Sequence, residues 1–353
     1  MNSTEFRKKY LSDLLKNSFS QHVGNWPKYR FGESQYGEVH KSANVRYMEA
    51  VLDNLDKHAR AIALFEDEKS RKIYHELLQY GSLGPEHVML YTHDDVYERY
   101  VKCMETDPIG MQLIEKAIVD TGRWVLNLYF LPEYRFKIIS SSAFSLNYMH
   151  FRQYFFSRNG VTVAPTENDV VLDCGSCWGD TALLFAKMVG PGGYVYGFEF
   201  LEDNAAVFEM NRRLNPGVIE NISLSRQGVS DTAGQPMRAM KNGPGTRVRS
   251  DGDLIATSTT IDDYVHDNKL DSVDFIKMDI EGSERKALVG AARTIQTFRP
   301  KLAISVYHGF EDMFNIPLTL KEMFPWYHFY LEHHSTYGEE TILYATIVED
   351  ETI

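Results

Sequence analysis

Apolar residues recur at helical spacing early in the chain, at Val45, Met48, Val51, Leu52 and Leu55, and again at Ile73, Leu77 and Leu78 ahead of Gly81. Positions three and four apart share one face of a helix, so this pattern predicts a mainly helical N-terminal half over residues 1–150, with loops around 24–37 and 81–85. The pattern changes near Gly160. From Asp169 onward, short continuous apolar runs alternate with helical stretches, as in a parallel sheet whose strands are joined by crossover helices. Predicted strands cover 170–174, 194–198, 222–224, 273–278 and 302–306; predicted helices cover 180–189, 203–214, 284–298 and 311–324. Residues 234–245, rich in Gly and Pro, read as irregular. Two closing strands, 327–331 and 342–347, suit an antiparallel pair. The chain therefore divides into a helical extension, 1–150, and one open α/β domain, 151–353.

Composition narrows the class. A length of 353 residues suits about two domains, and 43% hydrophobic with 24% charged residues is the make-up of a soluble globular chain. No run reaches the ~18 apolar residues of a membrane span, the densest, 124–131, being broken by Asn127. The first residues hold no uninterrupted apolar stretch of the signal-peptide kind. Cys103, Cys174 and Cys177 are too few for a disulfide framework, and together these features predict a cytoplasmic protein. The net charge of -12 is uneven: residues 1–160 carry 21 Lys+Arg against 20 Asp+Glu, and the remainder 16 against 29. An acidic half without a basic stripe argues against nucleic acid, whose binding depends on neutralising phosphates, and favours a cationic ligand.

The chemistry begins at VVLDCGSCWGDTALLFA. An apolar strand ends at Asp173, Gly175 and Gly179 flank a tight loop, and a helix starts near Asp180. Glycines let the backbone approach a ligand closely, and the helix start presents free amide donors. The pattern is D-x-G-x-x-x-G, with Cys177 and Trp178 inside the loop, and not the G-x-G-x-x-G of a dinucleotide site, which suits a ligand without phosphates. The next strand delivers Glu199, 24 residues beyond Gly175, where a carboxylate can accept both hydroxyls of a ribose. Turn and acid together imply an adenosine-containing cofactor. In DFIKMDIEGSE a buried strand ends at Asp279, with Glu281 following, and in KLAISVYH the neighbouring strand carries Tyr307 and His308 to the same edge. Ligands of open α/β sheets sit beyond these carboxyl ends, so two carboxylates and an imidazole are expected to converge there. The C-x-x-C of Cys174 and Cys177 lacks the second pair of a zinc site, and the glycines already account for the loop.

These segments, with YVYGFEF, GVSDTAG, TTIDDYV and ETILYATI, resemble in order the FkbM-type S-adenosylmethionine-dependent methyltransferases over about 153–347, most specifically from IKMDIEGSE to PKLAISVYH. The resemblance implies a class I methyltransferase (Rossmann-like) fold, a seven-stranded sheet with its last strand antiparallel, and O-methylation of a hydroxyl on a sugar, glycan or natural product. It implies that Asp173, Gly175, Ser176, Gly179 and Thr181 contact the methionine and backbone side of the cofactor. Glu199 would hold the ribose, Phe200 would lie near the adenine, and Gly228, Val229, Ser230 and Asp231 would form the adenine-side loop. Asp279, Glu281 and His308 would line the transfer site, with His308 or Asp279 as general base. A rival arrangement uses the same three residues to hold Mg or Mn. Other classes carried forward are an N-methyltransferase, an NAD-dependent oxidoreductase, whose G-x-G-x-x-G is missing, and a catalytically silent carbohydrate- or protein-binding module. The aromatic-rich extension is expected to cap the cleft and select the acceptor. The sequence sets no oligomeric state and admits a homo-oligomer.

Overall fold

The computed structural model describes residues 1–19, 38–85, 87–88, 90, 111–120, 124–141, 148–149, 151–335 and 337–348. Cys103 and the loop predicted at 24–37 lie outside them. The helices are α1 Ser3–Ser18, α2 Glu38–Asp53, α3 Leu55–Ile62, α4 Glu68–Leu83, α5 Asp180–Val189, α6 Glu202–Leu214, α7 Ile261–Asp267, α8 Glu284–Val289, α9 Ala292–Phe298 and α10 Asp312–Met323. The strands are β1 Gln112–Asp120, β2 Val125–Leu131, β3 Phe136–Ser140, β4 Phe156–Arg158, β5 Val161–Val163, β6 Val170–Cys174, β7 Tyr194–Phe198, β8 Ile222–Ser225, β9 Gly228–Val229, β10 Pro236–Met240, β11 Arg247–Val248, β12 Leu254–Thr259, β13 Phe275–Met278, β14 Lys301–Ser305, β15 His328–His333 and β16 Thr341–Thr346. Two compact units result, one of Met1–Arg99 with Val306–Ile353, the other Tyr100–Ser305.

The main sheet has seven strands in the order β15-β16-β14-β13-β6-β7-β8. Its run from β14 to β8 is parallel, and β15 pairs antiparallel with β16. Strands β6, β13 and β14 are buried at nearly every position, because helices cover both faces of a parallel sheet, and their sequences are correspondingly apolar. The chain moves outward from β6 to β7 and β8, then returns to the other side of β6 as β13. The order thus reverses between β6 and β13, and a crevice opens beyond their carboxyl ends.

Three departures from the sequence expectation have physical causes. Residues 112–140, counted with the helical half, form an antiparallel sheet in the order β1-β2-β3. VLNLYFL in β2 is apolar at nearly every position, so its periodicity separates neither helix from strand. The edge of β3 is satisfied by side chains: Asn211 Oδ1 accepts from Ile139 N at 2.6 Å while Asn211 Nδ2 donates to Ile139 O at 2.9 Å, and Asn215 treats Lys137 alike at 2.9 and 2.7 Å. Four residues along α6 rise about 6 Å and two along a strand about 6.6 Å, so two amides one helical turn apart match successive groups of the strand edge. Second, the stretch predicted irregular contains β10 and belongs to a sheet ordered β11-β10-β12-β9. Third, the predicted helix 284–298 breaks into α8 and α9 at Gly290, where a Cβ would lie 2.1 Å from Ser230 O and whose carbonyl accepts from Asp262 N at 2.9 Å.

In the first unit, the Phe6 ring is stacked on both His58 and His75, with centroids 5.9 and 5.3 Å away, and His58 Nδ1 meets the Tyr74 hydroxyl at 2.7 Å. Ser70 of α4 satisfies strand β15 through its hydroxyl, which accepts from Leu331 N at 2.8 Å. Among the described residues, no helix is long and apolar enough to cross a membrane.

Candidate functional site

The loop after β6 is shaped by its glycines. Gly175 has φ +83°, and a Cβ there would stand 1.9 Å from Asp279 O, so only glycine lets this loop lie against the end of β13. The loop is also tied to β7. The amides of Gly175 and Ser176 donate to Phe198 O at 3.1 and 3.0 Å, and Ser176 Oγ accepts from Phe198 N at 3.2 Å while donating to Asp173 O at 2.7 Å. Gly179, with φ +82°, turns the chain into α5 against the ring of Phe208.

Beneath the loop lies a buried ionic network. Asp173 on β6 and Lys277 on β13 stand opposite each other in parallel register, so their side chains share one face and meet at 3.1 Å. The two side chains are 0% and 2% exposed. Thr181 Oγ1 donates to Asp173 Oδ2 at 2.7 Å, Lys277 Nζ donates to Gly175 O at 2.7 Å, and the ammonium lies 5.1 Å from the Tyr154 ring centroid. Burial acts to lower the Lys277 ammonium, but Asp173, Asp279 and Asp180 outweigh it and raise the group above the ordinary lysine range. Asp180, at the start of α5, is pushed up to about 6 by burial. Tyr154 closes the network by donating its hydroxyl to Asp279 Oδ2 at 2.6 Å.

Above the loop is an open cleft lined by Gly175, Glu199, Phe200, Gly228, Val229, Asp279 and Glu281 among others. Glu199, at the carboxyl end of β7, accepts from Leu201 N at 2.6 Å on Oε1 and from Asn204 Nδ2 at 3.1 Å on Oε2, leaving a lone pair on each oxygen for a further donor. Burial pushes its carboxyl up to about 7, so the carboxylate forms as pH rises through neutrality. Gly228 approaches Met237 and Phe200, where a Cβ would lie 2.7 Å from the sulfur and 3.4 Å from the ring. The roof is the turn Gly243–Gly245 with Thr246 and Val248, and the Trp124 indole packs against Gly243. Arg247 Nε donates to Glu281 Oε2 at 3.1 Å, and Glu281 itself has φ +56°.

Several of the remaining sequence-predicted residues do not line the cleft. Asp173, Ser176, Gly179 and Thr181 form the support under the loop and do not line the cleft, and neither do Ser230 or Asp231, whose side chains bond each other at 3.2 Å. His308 belongs to the first unit, its ring 4.2 Å from that of Tyr307. Burial pushes both the Cys174 and Cys177 thiols well above their usual range, so neither is a thiolate. Lys277, Tyr154, Asn204 and the roof segment were missed by sequence reasoning. Lys277 left one signal, a cation within the otherwise apolar strand FIKM; Tyr154 left none, because its partner is fixed only by the fold.

A sheet reversing at β6 and β13, a glycine loop at that point and an acid at the end of β7 define a class I methyltransferase fold. The sequence model of the methyltransferase FkbM domain matches residues 172–335. The chain is similar to the methyltransferase FkbM of Methylobacillus flagellatus KT, with 21% identity over 86% of this chain and 62% of that one and a TM-score of 0.54. It therefore spans about three-fifths of that protein's length. Weaker likenesses are to the fibrillarin of Aeropyrum pernix solved with natively bound S-adenosyl-L-methionine, with 13% identity over 67% and 99% of the two chains and a TM-score of 0.36, and to a putative rRNA methylase of Clostridium thermocellum, with 15% over 56% and 90% and a TM-score of 0.34. No curated protein matches the chain.

Proposed function

We propose that this chain is an S-adenosylmethionine-dependent methyltransferase acting on a hydroxyl oxygen of a sugar, glycan or related natural product. The observation that carries the reading is Glu199, held at the end of β7 with one lone pair on each oxygen still available, in a cleft it shares with Gly175 and Asp279. The buried surroundings favour a cation: Asp173, Asp279 and Asp180 act on the Lys277 ammonium, and Glu199 interacts with it as well. The cofactor supplies a methyl group on positively charged sulfur. Glu199 would hold the ribose hydroxyls, Phe200 and Val229 would flank the adenine, and the Gly175 loop would receive the amino-acid end.

On the acceptor side, Asp279 would take the proton that the acceptor hydroxyl loses, and the bound cofactor would supply the methyl group that this oxygen receives. Tyr154 keeps that carboxylate oriented through its 2.6 Å hydrogen bond. A sugar hydroxyl is a very weak acid, so a positioned base matters, and alignment of the two reactants contributes much of the rate. His308, just beyond β14, is the second base retained from the sequence.

Release of S-adenosylhomocysteine, measured against hydroxyl and amine acceptors, tests this reading. Turnover with hydroxyl acceptors is expected to fall at least about 100-fold in Asp279→Asn or His308→Ala, with cofactor affinity little changed. The same turnover is expected to survive exhaustive chelation, since Asp279 and Glu281 already take donors from Tyr154 and Arg247. Transfer to amines alone would replace O-methylation with N-methylation.

A further inference from the structure

The geometry points to Arg247 as an anion-recognising residue at the mouth of the cleft, so that the acceptor carries a carboxylate or phosphate beside the hydroxyl to be methylated. This rests on the methyltransferase reading and adds a substrate class to it. Residues 238–249 contain Arg238, Lys241, Arg247 and Arg249 and no carboxylate, although the chain from residue 161 onward has 29 acidic against 16 basic residues. Such a concentration of positive charge on the hairpin that roofs an acidic cleft needs a reason.

Two of the four cations are taken up by carboxylates, and a third donates to a backbone carbonyl away from the cleft lining. Arg249 grips Asp251 with two parallel bonds of 2.9 Å, Lys241 pairs with Asp203, and Arg238 donates to Gly252 O at 3.2 Å. Arg247 differs. Among the described residues its guanidinium is engaged through Nε alone, by Glu281 at 3.1 Å, which leaves both terminal nitrogens without a protein acceptor. Its side chain is 54% exposed, and its neighbours Thr246 and Val248 line the cleft, as does Glu281.

Glu281 orients the guanidinium without neutralising its outer edge. The two terminal nitrogens form the planar fork that pairs bidentately with a carboxylate or phosphate. The partially solvated Arg247–Glu281 pair is itself worth little, so accepting a second anion costs little of the existing interaction. The acidic surroundings then act as a filter. An anionic acceptor is repelled from the domain's surface in general and retained where this fork meets it, which converts a charge into a register for the neighbouring hydroxyl. Two anionic groups share this chemistry, a uronic-acid carboxylate and a sugar phosphate, and the cofactor's own carboxylate is the third source to separate.

The test uses the full chain saturated with S-adenosylhomocysteine and carrying isotope-labelled arginine. It is titrated with methyl glucuronide, with a glucose phosphate and with neutral methyl glucoside, followed by NMR of the arginine side chains and by calorimetry. The expected result is that one or both anionic sugars bind and shift the Arg247 terminal N–H signals while the glucoside does not. The Arg247→Gln variant should weaken that binding about tenfold or more, Arg247→Lys, which keeps the charge but loses the fork, should weaken it in part, and both should hold S-adenosylhomocysteine within about twofold of wild type. Equal binding of glucuronide and glucoside, or no binding of either anion to the loaded protein, overturns the inference. A tenfold loss of S-adenosylhomocysteine affinity in Arg247→Gln also overturns it, by assigning the fork to the cofactor's carboxylate. Failure of the unmodified chain to bind S-adenosylhomocysteine defeats the underlying methyltransferase reading instead.

Discussion

Lys277→Met is expected to abolish cofactor binding and to lower the stability of the Tyr100–Ser305 unit by about 3–5 kcal/mol, the usual cost of leaving one partner of a buried ion pair uncompensated. Among the described residues, the substitution leaves the Asp173 carboxylate with only the Thr181 hydroxyl as a donor, and it removes the bond from Nζ to Gly175 O. The Gly175 loop would lose its tie to β13 at the point where it must face a ligand. Denaturant unfolding gives the stability change and calorimetry the binding change. Because the cost comes from the orphaned carboxylate, adding Asp173→Asn to Lys277→Met should recover part of the stability but not the binding. Equal stability of Lys277→Met and wild type would mean that the ion pair does not organise the loop.

Acidification is expected to loosen the unit formed by Met1–Arg99 and Val306–Ile353 while sparing the other. His58, His75 and His333 are buried there, and burial, the largest cause in each case, holds them down to about 3, 4 and 4 from an ordinary 6.5. A histidine kept neutral in the folded chain but free to protonate in the unfolded one carries no penalty above pH 6.5. Below it the unfolded state binds the proton first, and stability falls until the folded pKa is reached. At about pH 5 the loss is about 2 kcal/mol per histidine, or about 6 kcal/mol for three. Glu199 and Asp180 respond with the opposite sign. Their folded values of about 7 and about 6 lie above the ordinary 4.5 and 3.8, so protonation in the folded state stabilises their unit as pH falls through that window. Amide-exchange protection factors at about pH 5 and about pH 7.5 should therefore fall in peptides around α1, α3 and α4 and hold in those around β6 and β7. Parallel loss in both units would contradict these assignments.

Much of the α/β architecture was legible in the sequence because strands buried on both faces leave continuous apolar runs, as in β6, β13 and β14. The closing pair β15 and β16 could be read for the same reason. The sheet β1–β3 could not, since an apolar residue at nearly every position of β2 has no usable period. Nor could the break at Gly290, which comes from a close approach to Ser230, far away in sequence. At the site, Gly175, Glu199 and Asp279 were readable because a left-handed turn and an acid at a strand's carboxyl end are demands of position along the chain. Lys277 and Tyr154 act through partners set by the register of β13 on β6 and by a tertiary contact with β4's approach segment, and local sequence contains neither. Asp173 and Thr181, which the resemblance assigned to the cofactor, bond each other under the loop at 2.7 Å.

The central claim, an adenosine-containing methyl donor held by Glu199 beside the Gly175 loop, is tested most directly by calorimetric titration of the full chain with S-adenosylmethionine and S-adenosylhomocysteine beside Glu199→Ala. The account predicts that both ligands bind, that binding strengthens as pH rises through about 7, where the Glu199 carboxylate forms, and that Glu199→Ala weakens it at least about tenfold. Absence of binding to either ligand, or binding that Glu199→Ala leaves unchanged, would contradict it.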